Sequence, residues 1–244
     1  MHRFTSEERA HPLITQAKTK GHTCAWQECD HLVYFDGTKA YPVVNVKDIP
    51  ISMGGAANYN IRNALGALCL AKVMNIDNKA IALGLCNFKN DAKDNPGRCN
   101  EFAIKGARVF VDFAHNPHSI SVVTDAMAGV PAKRRFIMIS HAGDRSDQDI
   151  LDATQIALAL NPDFLMAAEL PQYLRGRELG ETLRLTHQQA IKHGLKTHQL
   201  LVAEGPAVGA KQILSQLQEG DLALLLVLSE RDQVFVMLDP ALTH

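Results

Sequence analysis

From residue 108 onward the chain alternates short apolar runs with helical patterns, and few folds accept that order. The runs are 108–113 (RVFVDF), 135–140 (RFIMIS), 163–168, 199–203 and 222–228. Between them, apolar residues recur at helical spacing over about 119–128, 148–160, 178–193 and 207–217. The runs lack the polar alternation of a half-exposed strand, so they read as strands covered on both faces. Strand alternating with helix builds βαβ units, which predicts an α/β fold with a Rossmann-like, mostly parallel sheet. A last run, 234–238, follows a Ser-Glu-Arg-Asp turn and is expected to pair antiparallel to its neighbour.

The chain before this region reads differently. Residues 23–27, 31–35 and 39–46 are short runs rich in β-branched and aromatic residues, and Asp36-Gly37 between two of them is a hairpin signal. After Met53-Gly54-Gly55, residues 58–74 turn helical, with Ile61, Leu65 and Leu68 three and four apart, and a short helix is expected at 78–85. Residues 87–97 (NFKNDAKDNPG) are polar, end in Asn-Pro-Gly and read as a linker. Two domains follow, 1–95 and 96–244. The first offers a few strands and two helices, with no evident partner layer for all of them.

Charge and cysteine usage narrow the functional classes. Lys+Arg is 25 and Asp+Glu is 26, a net charge of −1. No global field draws the chain to nucleic acid or an anionic membrane, so an anionic ligand must be held by local geometry. The five cysteines (24, 29, 69, 86 and 99) form no CxxC, and the start MHRFTSEERAHPLITQ has no apolar leader core. The expectation is a reducing, cytoplasmic setting. The longest apolar run, 222–228, is far short of the roughly 18 residues of a membrane span.

Open parallel sheets bind ligands beyond the carboxyl ends of their strands, so the candidates are sought there. The first strand of the second domain ends Asp112-Phe113-Ala114-His115-Asn116-Pro117. Asp112 can accept two hydroxyl hydrogen bonds, as from a ribose, and His115 can donate to a phosphate or a base. Asn116 and Pro117 fit the start of a helix, and simple turn and cap roles account equally well for this segment. The second strand runs into His141-Ala142-Gly143-Asp144-Arg145-Ser146-Asp147, where Arg145 can clamp a carboxylate and Asp147 is expected to cap the next helix. A surface ion pair is the plainer account of Asp144 and Arg145. Beyond the third strand, Arg175-Gly176-Arg177 leads to Glu181, either an anion site or a solvated basic turn. Arg98 stands where the linker enters the second domain. Asn60 and Asn63 share a helix face and can read an adenine edge, while Asn58 can simply cap that helix.

Several chemistries lack their motifs. The sequence has no GxxxxGK[ST] P-loop, no GxGxxG after a strand, no GxSxG and no HExxH. Its 11 histidines show no metal-ligand spacing, and no metal site is expected from this chain.

Five segments together, GGAANYNIRNALGALCLA (54–71), NPGRCNEF (95–102), VFVDFAHNPHSI (109–120), AGDRSDQDI (142–150) and RGRELGE (175–181), resemble the Mur ligase superfamily. The pair GDR and RGRxxGE resembles its cyanophycin synthetase branch, in the C-terminal region. Phe113 and Ala142 depart mildly from that pattern, which more often has Tyr and Pro there. The resemblance implies a Mur-type C-terminal α/β domain at 96–244, preceded at 1–95 by the tail of the central ATP-binding domain. It implies ATP-driven amide bond formation through an acyl phosphate, with an amino acid (Arg or Asp) joined to a peptide carboxylate. By position, Asn60 and Asn63 resemble adenine-side residues, Arg98 the Arg that reaches the phosphates, and Asp112 the ribose-binding Asp. His115 falls beside the reacting phosphate, giving Arg98 and His115 the catalytic roles. Asp144, Arg145, Arg177 and Glu181 fall where relatives recognise the incoming amino acid. ATP and Mg²⁺ are the implied cofactors, with Mg²⁺ held mainly by the missing P-loop portion of the central domain; an ATP-grasp portion is missing as well. A separate polypeptide would then supply those portions, or they are lost to a gene break. The alternative is a non-catalytic nucleotide-binding or interaction module derived from a ligase, with homo-oligomers possible in either case.

Overall fold

The computed structural model describes residues 3–4 and 9–239 of the chain. Part of the start used to argue against a leader lies outside those residues. Two compact units result, residues 1–89 and 90–244.

The first unit holds a four-stranded sheet: β1 (Arg3–Phe4), β2 (Cys24–Glu28), β3 (His31–Phe35) and β4 (Ala40–Asn45), in that order. β2, β3 and β4 pair antiparallel, with the expected hairpin turn at Asp36-Gly37, and β1 pairs parallel to β2. The Asp36 carboxylate accepts from the Thr38 and Lys39 amides at 2.8 Å and fixes that turn.

The strands find two partner layers, where the sequence showed no obvious partner layer for all of the elements. Helix α1 (Pro12–Thr19) buries Ile14 and Ala17 against Cys24, Trp26, Val33 and Phe35. On the other face, α2 (Asn58–Val73) places Ile61, Leu65 and Leu68 on Ala25, Leu32, Tyr34 and Val44, and α3 (Asn78–Asn87) adds Ile81. Alternation along β2 sends successive side chains to opposite layers. Asn58 does not cap α2: Ala57 stands at that position, with no side-chain cap.

The second unit is the α/β sheet. Its strands are β5 (Asn100–Ile104), β6 (Ala107–Asp112), β7 (Arg135–Ile139), β8 (Phe164–Ala168), β9 (Leu200–Ala203) and β10 (Leu222–Leu226). The sheet order is β5-β6-β10-β7-β8-β9, and every pairing except β5 with β6 is parallel. β5 is a strand that the apolar pattern does not announce. It is an edge strand, joined to β6 by a two-residue turn in which Lys105 and Gly106 both take positive φ (51° and 76°).

The helices are α4 (Pro117–Ala128), α5 (Asp147–Ala157), α6 (Glu181–His193), α7 (Pro206–Gln216) and α8 (Arg231–Leu238). α7 and α8 bury Ala207, Ala210, Ile213, Val234, Phe235 and Leu238 against one set of alternating strand residues, including Val109, Met138 and Leu225. The alternate set, among them Phe110, Ile137, Leu165 and Leu224, is buried as well. Residues 234–238 are therefore helix and not the expected antiparallel strand. β10 already lies between β6 and β7, so no edge is open beside it. Val234, Phe235 and Leu238 instead share one helical face toward the core. No described helix is long and apolar enough to cross a membrane.

Candidate functional site

The carboxyl ends of β6, β7 and β8 meet in one corner of the second unit. β6 ends at Asp112, which is 5% exposed. Its carboxylate accepts from the Ala114 amide at 2.7 Å and also from the Cys99 and Phe113 amides. Burial nevertheless pushes its pKa up to about 6, against those hydrogen bonds and the nearby positive charge of Arg98. Arg98 itself is exposed.

The segment carrying Arg98 is built to hold that place. Gly97 donates to the Asn100 side chain at 2.6 Å, and its carbonyl accepts from Phe113 at 2.9 Å. The buried Asn100 amide in turn donates to the Asn95 carbonyl at 2.9 Å. Cys99 sits at φ 54° and Gly97 at φ 75°, so the chain makes a tight turn here and enters β5.

After Asp112 the chain opens into the loop that starts α4. His115 is exposed, with Nδ1 2.9 Å from the Phe113 carbonyl and its ring edge-on to Phe113 at 5.4 Å. Asn116 caps α4 by accepting from Ser119 at 2.9 Å, and Pro117 begins the helix, as the sequence predicts.

Beside this loop lies a cleft of about 230 Å³, lined among others by Phe113, His115, His141, Asp144, Arg145 and Arg175. The loop after β7 supplies three of these. Gly143 is required there, because a Cβ would fall 1.8 Å from the Leu174 carbonyl oxygen. Its amide donates to the Tyr173 carbonyl at 2.8 Å, locking the β7 and β8 loops together. Ser146, and not Asp147, caps α5, in a reciprocal arrangement with Asp149. Asp144 pairs with Arg175, whose guanidinium lies over the Tyr173 ring.

Arg177 does not line this cleft. Its guanidinium pairs with Glu181 and, at 2.7 Å, with Asp147. It also donates to the Gly143 carbonyl at 3.1 Å and the Arg145 carbonyl at 2.6 Å. Arg177 and Glu181 thus brace the loop that presents Asp144 and Arg145. Beneath the same loops, buried Glu169 accepts from the Gly180 amide at 2.6 Å and the Thr182 hydroxyl at 3.2 Å.

One cleft residue, His141, is not a sequence candidate, and Arg175 is one only as part of a possible anion site. Arg175 belongs to the RGR segment, but the pairing with Asp144 is a tertiary fact. His141 is 7% exposed at the end of β7, and burial, with the charge of Arg145, pushes its pKa down to about 4. Its one signal in the sequence is its position, directly past a buried parallel strand.

Asn60 and Asn63 belong to the first unit. Asn60 is buried, and its amide donates to the Ile51 carbonyl at 2.7 Å. Asn63 is exposed, and its amide lies 3.4 Å from the Asn60 oxygen. Among the described residues no group of three or more His, Cys, Asp or Glu side chains is set to hold a metal ion.

Relatives agree with this architecture. Cyanophycin synthetase of Nostoc sp. is 30% identical over 173 residues, 71% of this chain and 19% of that protein. The Synechocystis sp. cyanophycin synthetase is 28% identical over 215 residues, 88% of this chain and 24% of the other. The chain thus spans a fifth to a quarter of the length of these relatives. Among solved structures, Mycobacterium tuberculosis folylpolyglutamate synthase complexed with ADP has the same fold at TM-score 0.63 and 12% identity, over 100% of this chain and 55% of that one. A murein peptide ligase from Psychrobacter arcticus gives TM-score 0.58 at 17% identity, over 99% and 46%. The family described as "Mur ligase, glutamate ligase domain" matches residues 97–227, the stretch that carries the whole parallel sheet, the Asp112 loop and all of the cleft lining but Leu228. By that match, more than half of its length, the chain belongs to the Mur ligase family.

Proposed function

We propose that this chain is the C-terminal portion of an ATP-dependent acid–amino acid ligase of the cyanophycin synthetase kind. It joins an amino acid, Arg or Asp, to a peptide carboxylate through an acyl phosphate. The observation that carries the reading is the corner where β6 and β7 end. A buried carboxylate under the charge of Arg98 stands one loop away from a cleft lined by His115, Asp144 and Arg145.

In this reading Asp112 accepts the two ribose hydroxyls, which restore to its ionised form the solvation that burial removed. Arg98 and His115 serve the phosphates, where charge shifts as the γ-phosphoryl group passes to the substrate carboxylate. Both are exposed and free to approach an anion, and catalysis rests on position and charge. Asn63 presents its amide to the adenine, oriented by Asn60. Arg145 and Asp144, with Arg175 against it, receive the incoming amino acid. Arg177 and Glu181 contribute by bracing that loop.

ATP and Mg²⁺ supply the phosphoryl group and its charge neutralisation. The sequence carries no P-loop, so the activity requires a portion bearing the P-loop and ATP-grasp regions, on the same or another polypeptide. The test combines the purified chain with such a polypeptide, ATP, Mg²⁺, an Asp-containing primer, Arg and Asp. Release of ADP and phosphate that requires both polypeptides is expected, and none above background would refute the ligase reading. Nucleotide binding without turnover would favour the second reading, a non-catalytic nucleotide-binding module, which the missing P-loop motivates.

A further inference from the structure

His141 is buried at the end of β7 yet lines the cleft. Its Nε2 lies 3.3 Å from the Thr154 hydroxyl oxygen. That hydroxyl has a single proton, and the 2.7 Å contact with the Ile150 carbonyl claims it. The Thr154 oxygen can therefore only accept from the ring, which places the imidazole proton on Nε2 and leaves Nδ1 with a lone pair. Among the described residues no partner is seen for Nδ1, and it is not one of the buried side-chain atoms left without a hydrogen bond. The residue itself lines the cleft.

We propose that His141 is a positioning residue whose Nδ1 accepts an N–H from the amine of the incoming amino acid. Most charged groups of the cleft are suited to an anion or already engaged. Arg145 and Arg175 are cations, Asp144 is paired with Arg175, and His115 Nδ1 faces the Phe113 carbonyl. His141 Nδ1 adds a neutral acceptor for the amine that is not tied to a cation. Holding one N–H at Nδ1 fixes the direction of the nitrogen lone pair, which is what attack on an acyl phosphate needs. The neutral ring also suits a cleft with two nearby guanidinium groups, where an imidazolium would be repelled. The assignment rests on the ligase reading for the identity of the amine, but not for the state of the ring.

Nitrogen-15 NMR of the histidine-labelled full chain tests the ring first. The His141 resonances, identified by their loss in His141→Gln, are expected to show protonated Nε2 and bare Nδ1. Thr154→Val, close in shape, is expected to release that preference into a mixture of tautomers. Protonated Nδ1 in the wild type would overturn the proposal. L-arginine and L-aspartate are then compared with 5-guanidinopentanoate and succinate, which lack the α-amine. The amino acid that binds is expected to move the Nδ1 signal, and its desamino partner is not. His141→Phe is expected to weaken the amino acid about tenfold and leave the desamino partner unchanged. Equal losses for both ligands, with binding retained, would refute the role of His141 alone. If neither amino acid binds, the amino-acid reading of the cleft fails and takes this assignment with it.

Discussion

Asp112→Asn is expected to flatten the pH dependence of stability in the second unit. The carboxyl is buried and its pKa is raised from the ordinary 3.8 to about 6. A proton is therefore held more tightly in the folded chain than in the unfolded one. The sign follows directly. The stability linked to that proton is full below about pH 4 and is lost as the pH rises through about 6. A shift of about two units corresponds to roughly 3 kcal/mol over the whole window, and about half of it falls between about pH 5 and pH 8. Asparagine does not titrate and keeps an oxygen for the Ala114 amide, at a pH-independent cost of about 1 kcal/mol for the acceptor it lacks. The wild type should thus lose about 1.4 kcal/mol more than the variant between those two pH values. Urea denaturation of the full chain, followed by far-ultraviolet circular dichroism, measures this. The single tryptophan, Trp26, lies in the first unit, so its fluorescence provides a control. Parallel stability profiles for the two proteins would show that burial does not raise the pKa of Asp112.

Other expectations follow from the same corner of the fold. If ribose hydroxyls meet ionised Asp112, nucleotide affinity of the assembled enzyme should rise with pH through about 6, and calorimetry across that range should show the rise disappear in Asp112→Asn. Gly143→Ala drives a methyl into the Leu174 carbonyl and should cost about 2 kcal/mol or more, read as a lowered thermal midpoint. Arg177→Lys keeps the charge but loses the fork that reaches Asp147, Glu181 and two carbonyls. It should speed hydrogen exchange in the loops at 142–147 and 174–181 while leaving β7 protected; unchanged loop exchange would refute the bracing role.

The parallel sheet was legible in the sequence because its strands are buried on both faces. Such strands are written as unbroken apolar runs, and the helices between them as three- and four-residue spacings. The helix start at Asn116-Pro117 was legible for a local reason, since cap chemistry lies within a few residues. Residues 234–238 were not, because five apolar residues fit a strand or a helix face equally well. What decided was that both edges of β10 are already taken. β5 was hidden because an edge strand needs no continuous apolar run. At the site, the sequence by itself determined which polar side chains gather beyond the strand ends, because strand order along the chain sends those loops to one edge. Only the tertiary structure decided what each is free to do. Arg177 is consumed by Asp147, Glu181 and two carbonyls, Arg175 faces Asp144, and His141 Nε2 lies against the Thr154 hydroxyl. Those partners are 4 to 34 residues away along the chain. A hydrogen bond is satisfied by whatever donor or acceptor packing brings within about 3 Å, which no local pattern encodes.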